Sequence, residues 1–146
     1  MRTLSIRDVD HLVGLINAQA VEQVILTDEV QGRVAGHLVY ALGYPVEPGG
    51  NPQLERRAAT LYYSIVKDRA VPVGCERLAL IVTLAFLADN GYRPTFSPRE
   101  MYATASRDDS RPGEAMRILE DLASLIFTSI HPVPGGDPRA VATTDA

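Results

Sequence analysis

A chain of 146 residues with 46% apolar side chains is long enough for one domain around one core. Its formal net charge of −4, with no basic block, argues against nucleic acid or an anionic membrane as the main partner. Cys75 is the single cysteine, which excludes an internal disulfide and a cysteine cluster for zinc. His11, His37 and His131 lie far apart without ligand spacing, so neither a protein-held metal nor a cofactor is expected.

Period 3.6 dominates the chain, and no run alternates with period 2, so helices are predicted throughout. Ser5 caps a first helix, with Asp8 three residues on as its capping-box partner. Val9, Leu12, Val13 and Ile16 give that helix an apolar stripe. A connection follows at residues 19–26, in which Val24, Ile25 and Leu26 suit an extended backbone. Thr27 or Asp28 opens a second helix, whose Val30, Val34, Leu38 and Leu42 recur every four residues before Gly43 ends it. Residues 44–50 hold two prolines and two glycines and read as an irregular loop or flap.

Asn51-Pro52 starts a third helix, because proline at the first helical position loses no bond. Leu54, Ala58, Leu61, Tyr62 and Ile65 face its core side, and it stops near Lys67 and Asp68. Pro72 disfavours helix at Val71, so residues 69–74 form a loop. A fourth helix runs from Cys75 to Asn90. Its stretch from residue 78 to 88 is apolar on nearly all sides, which places it at the centre of a bundle. Asn90-Gly91 is a stop signal. Ser97-Pro98-Arg99-Glu100 opens a fifth helix reaching Ser106. A turn at 108–113 leads to a last helix over about 112–130, with Met116, Leu119, Leu122, Ala123 and Ile126 inward and His131 at its C-terminal end. Residues 132–146 hold three prolines and little apolar content, and read as a disordered tail. The expectation is an all-α, single compact bundle of about six helices over residues 1–131.

The N-terminus has no basic region followed by an apolar run, so no secretory signal is expected. The longest apolar stretch falls short of the ~20 residues that span a bilayer, so the expected location is cytoplasmic. Lys67 is the sole lysine among fourteen Lys and Arg residues, a bias of GC-rich bacterial or phage genes.

The string Arg69-Ala70-Val71-Pro72-Val73-Gly74-Cys75-Glu76-Arg77, an apolar helix, then Phe86-Leu87-Ala88-Asp89-Asn90-Gly91-Tyr92 resembles the Fic/death-on-curing (Fic/Doc) family, in its short, toxin-like branch. That family's loop reads His-x-Phe-x-Asp/Glu-Gly-Asn-Lys-Arg, and its next helix ends in Phe-Leu-x-x-Asn-Gly-Tyr. The likeness spans about residues 4–127. It also takes in the first two helices and the Ala58-Ala59-Thr60-Leu61-Tyr62-Tyr63 segment that enters the loop.

By that resemblance the family's general base falls on Arg69, which cannot accept a proton. The phenylalanine that packs under the loop becomes Val71. The Mg²⁺-holding acid becomes Val73, which has no oxygen to offer. The asparagine becomes Cys75, and the lysine becomes Glu76, a reversal of charge where phosphate would sit. Gly74 and Arg77 are retained, and Leu80 matches the short branch. Loss of a general base alone costs typically ~10²–10⁴-fold in rate. Loss of the metal ligand removes the main neutraliser of phosphate charge.

The resemblance therefore implies a catalytically degenerate protein, a pseudoenzyme. It would act by binding a protein partner in growth control, toxin–antitoxin function or phage–host conflict. The candidate surfaces are the former cleft and the flap of Tyr44, Pro45, Val46, Glu47 and Pro48. Gly74, Cys75 and Arg77 form the candidate phosphate or anion site at a helix N-terminus, and Glu76 opposes nucleotide there. The alternative is a divergent nucleotidyl- or phospho-transferase acting on a protein, with Arg69 and Arg77 on the nucleotide and Asp68 or Glu76 as base.

Overall fold

The computed structural model describes residues 3–19, 27–42, 54–69 and 74–133. Six helices make up most of them: α1 (Ile6–Gln19), α2 (Asp28–Leu42), α3 (Leu54–Asp68), α4 (Cys75–Asp89), α5 (Pro98–Ala105) and α6 (Glu114–Ser129). Two three-residue strands, β1 (Tyr92–Pro94) and β2 (Ile130–Pro132), pair antiparallel with Tyr92 opposite Pro132 and Pro94 opposite Ile130. The fold is an all-α bundle, with this one short ribbon among the described residues.

Local chemistry accounts for the helix ends. The Ser5 N–H donates to Asp8 Oδ2 at 2.8 Å, and the Asp8 N–H donates to Ser5 Oγ at 3.3 Å. Both halves of the capping box at α1 are therefore made. Thr27 Oγ1 accepts from the Val30 N–H at 3.2 Å and caps α2. Ser97 Oγ accepts from the Glu100 N–H at 3.3 Å, with Pro98 in the first turn of α5. At the end of α4, buried Asn90 donates its side-chain amide to the Phe86 carbonyl at 2.8 Å. Gly91 then takes φ +86, a left-handed value that suits glycine.

Helix-terminal carbonyls lack partners in their own helix and need donors from elsewhere. Arg57, buried in α3, donates from Nη1 to the Leu42 carbonyl at the end of α2, 2.8 Å away. Arg33 of α2 donates from Nη2 to the Asp68 carbonyl at 3.0 Å. The Ser129 carbonyl accepts from both the backbone N–H and the hydroxyl of Thr95. The helices are thus tied end to end by side chains as well as by packing.

The core is formed by Val9 and Val13 of α1, Val34 and Leu38 of α2, and the buried faces of α3, α4 and α6. Each fully buried Leu, Ile or Phe contributes roughly 1.5–3 kcal/mol of transfer free energy. Helix α3 touches α2, α4, α5 and α6, so it shares the centre that the sequence assigns to α4. Helix α4 buries Leu78, Ala79, Val82, Thr83, Phe86 and Leu87, and Ile81 and Leu84 on its other side are half-buried.

Three expectations need correction. Helix α6 ends at Ser129, and His131 lies in β2 opposite Arg93, because the β1–β2 ribbon captures the chain there. Pro132 and Val133 continue this ribbon, Val133 donating its N–H to the Gly91 carbonyl at 2.9 Å. Met116 is 51% exposed, because the inner stripe of α6 runs through Ile118, Leu122 and Ile126 instead. The expected extended residues 24–26, the flap, the Asn51-Pro52 start, Val71, Val73 and the tail beyond residue 133 lie outside the described residues. Among the described residues no helix is long and apolar enough to cross a membrane.

Candidate cleft at the head of helix α4

Helix α4 begins at Cys75, and its N-cap, Gly74, takes φ +78 with no side-chain cap. A cavity of about 580 Å³ opens there between α3, α4 and α5. Gly74, Glu76, Arg77 and Leu80 line it from α4 and its cap. Tyr62 closes it from α3, and Arg99, Tyr102 and Ala103 face it from α5. The volume is in the range of small-ligand sites, ~300–1,000 Å³.

Each wall follows from sequence. Tyr62 sits on the apolar stripe of α3 and is 1% exposed, so its ring is fixed in the core. Burial pushes the Tyr62 phenol well above its ordinary value, and the nearby Glu76 carboxylate pushes it further the same way. The phenol therefore stays protonated. Leu80 and Arg77 follow from the helical period, which puts residues three apart on one face. Pro98 and Ser97 set the start of α5, and so place Arg99 and Tyr102 on the cavity side.

The sequence-predicted site residues divide into groups. Gly74, Glu76 and Arg77 line the cleft together. Cys75 does not join them. Its thiol, half-buried, donates to the Ile65 carbonyl of α3 at 3.1 Å, so it is occupied in tying α4 to α3. Arg69 is exposed, with a left-handed φ of +49 that costs a non-glycine residue about 1–2 kcal/mol. Val73 and the flap residues Tyr44, Pro45, Val46, Glu47 and Pro48 lie outside the described residues.

Asp68, proposed from sequence as a base, is engaged elsewhere. Arg33 Nη2 reaches its Oδ1 at 2.6 Å, and Arg33 Nε reaches Oδ2 at 3.2 Å. His37 Nε2 stands 2.8 Å from the same Oδ2. The Arg33 hydrogen bond, with His37 adding to it, holds the Asp68 carboxyl below its ordinary range and makes it a poor proton acceptor. This cluster clamps the end of α3 to α2. Sequence reasoning missed it, although Arg33 and His37 are four residues apart and so share a helix face. It also missed Arg99 and Tyr102, which the sequence presents only as parts of a capped helix.

A second set of ties holds α3 against the α5–α6 turn. Lys67 Nζ donates to the Arg107 carbonyl at 2.8 Å and stands 5.7 Å above the Tyr63 ring. The Tyr63 hydroxyl donates to Asp109, and Arg107 pairs with Asp121 at 2.7 Å. These contacts fix α5, and with it the Arg99 wall. Among the described residues no three His, Cys, Asp or Glu side chains gather as a metal-ligand set. No family model, curated protein or solved structure matches the chain.

Proposed function

We propose that this chain is a Fic/Doc-like helical scaffold that has given up group transfer and acts by binding a protein partner through the cleft at the head of α4. The observation that carries the reading is a retained cleft with exchanged chemistry. Gly74 and Arg77 line the cavity, while Glu76 stands among them where the resemblance calls for a lysine. Arg69, at the position of the family's base, is a guanidinium that cannot take up a proton at neutral pH. A cleft of this size that keeps Arg77 in its lining is suited to holding a ligand. A partner in bacterial growth control, toxin–antitoxin function or phage–host conflict is what the family likeness would imply.

The test is affinity capture from a GC-rich bacterial lysate with the wild-type chain and with Arg77→Glu, after matching their melting curves. The reading expects a protein recovered by the wild type and lost with Arg77→Glu. Recovery of no cleft-dependent protein would count against it.

A second reading, a divergent nucleotidyl- or phosphotransferase, is favoured by Glu76, which puts a carboxylate in the cleft beside Arg77. The ion pair that occupies Asp68 leaves Glu76 as the base this reading must use.

A further inference from the structure

We infer that Met116 is a reversible oxidation site, and that its sulfoxide fastens α6 to α3 through Arg56 instead of loosening the bundle. The inference is independent of the cleft reading, which stands or falls without it. Arg56, in the first turn of α3, donates from Nη2 to Met116 Sδ in the first turn of α6, 2.8 Å away. Among the described residues the Arg56 side chain bonds to this sulfur alone. The two groups are poorly matched, because a guanidinium carries strong donors and a thioether sulfur is a weak acceptor. An oxygen on that sulfur would correct the mismatch.

Exposure selects the sulfur. Met116 is 51% exposed, whereas Met101 of α5 is fully buried. Hydrogen peroxide in solution therefore reaches Met116 without opening the fold. The sulfur lone pair attacks one peroxide oxygen. An S–O bond forms, the O–O bond breaks, and the departing hydroxide takes the proton left on the transferred oxygen and leaves as water. Sulfur gives up two electrons and the peroxide gains them. A sulfoxide disrupts a core because it makes an apolar side chain polar. Met116 lies outside the α6 stripe of Ile118, Leu122 and Ile126, so its new oxygen meets water and a cation. Rotation about the terminal side-chain torsions turns that oxygen toward Arg56. A charge-assisted bond to oxygen is about twice as strong as a neutral one. Methionine sulfoxide reductases, one for each epimer, restore the thioether.

The full-length chain can be treated with dilute hydrogen peroxide, with sulfoxide at each methionine followed by peptide mass spectrometry and Tm recorded at each stage. Met116 should oxidise at least about tenfold faster than Met101. The Tm of the Met116-oxidised chain should rise by about 1–3 °C and return after treatment with both reductases. Met116→Leu, oxidised alike, should show no rise. Met116→Gln sets a side-chain amide oxygen near the same place without peroxide, and should raise Tm by a similar amount. In an Arg56→Ala background both gains should vanish. The inference is overturned if Met101 oxidises as fast as Met116, if oxidation at Met116 leaves Tm unchanged or lowers it, or if the gain survives Arg56→Ala.

Discussion

The Cys75 thiol donates to the Ile65 carbonyl across 3.1 Å, joining the first residue of α4 to the last turn of α3. Ile65 is among the last four residues of its helix, whose carbonyls lack intrahelical partners. The thiol fills that need and ties the start of α4 to the end of α3. Cys75→Ala removes the donor and should cost about 1 kcal/mol, a fall of roughly 2–4 °C in Tm. Thermal denaturation of the two proteins at one pH checks this, and an unchanged or raised Tm would show that the contact contributes nothing.

The Asp68 clamp predicts how stability responds to acid. Its carboxyl is held below the ordinary value of 3.8, first by Arg33 and then by His37. A depressed carboxyl contributes stability above its unfolded-state value, and that contribution is lost as pH falls through the folded-state value. The wild-type Tm should therefore drop below about pH 4. Asp68→Asn should lie below the wild type at neutral pH and converge with it in strong acid. Asp8 and Asp108 are also depressed, by bonds from Ser5 and Ser110, so the variant should keep part of the acid slope. Parallel Tm curves offset by the same amount at every pH would contradict the clamp.

Neighbouring residues of α6 should respond in opposite ways. Ile126 is fully buried, and Phe127 is 65% exposed. Ile126→Ala should cost about 2–5 kcal/mol through lost transfer energy and a cavity. Phe127→Ala should stay within about 0.5 kcal/mol, as surface substitutions do. Urea titration of both variants decides it. A large loss from Phe127→Ala would mean that this face is covered.

The helix ends and most core faces were legible because their signals are local. Ser5 with Asp8, Asn90 with Gly91 and Ser97 with Pro98 each encode a cap within four residues, and each is found where expected. Met116 misled because every apolar side chain on α6 competes for the same stripe, and packing against α3 and α5 selected Ile118, Leu122 and Ile126. The β1–β2 ribbon was illegible because three residues are too few to show alternation and their partners lie far along the chain. The cleft was half legible. Gly74, Glu76 and Arg77 lie within four residues and could be read together, whereas Arg99 and Tyr102 join them only through the docking of α5. The Arg33–His37–Asp68 clamp likewise exists only once α2 packs on α3.

The central claim is that the cleft binds without transferring. Its most direct test is incubation of the full chain, alone and with lysate, with each nucleoside triphosphate labelled on the α- or γ-phosphate, in Mg²⁺ or Mn²⁺. The account predicts no label on the chain or on any protein beyond that seen with Arg77→Ala. Label that accumulates with the wild type and vanishes with Arg77→Ala would contradict it and make the chain a transferase.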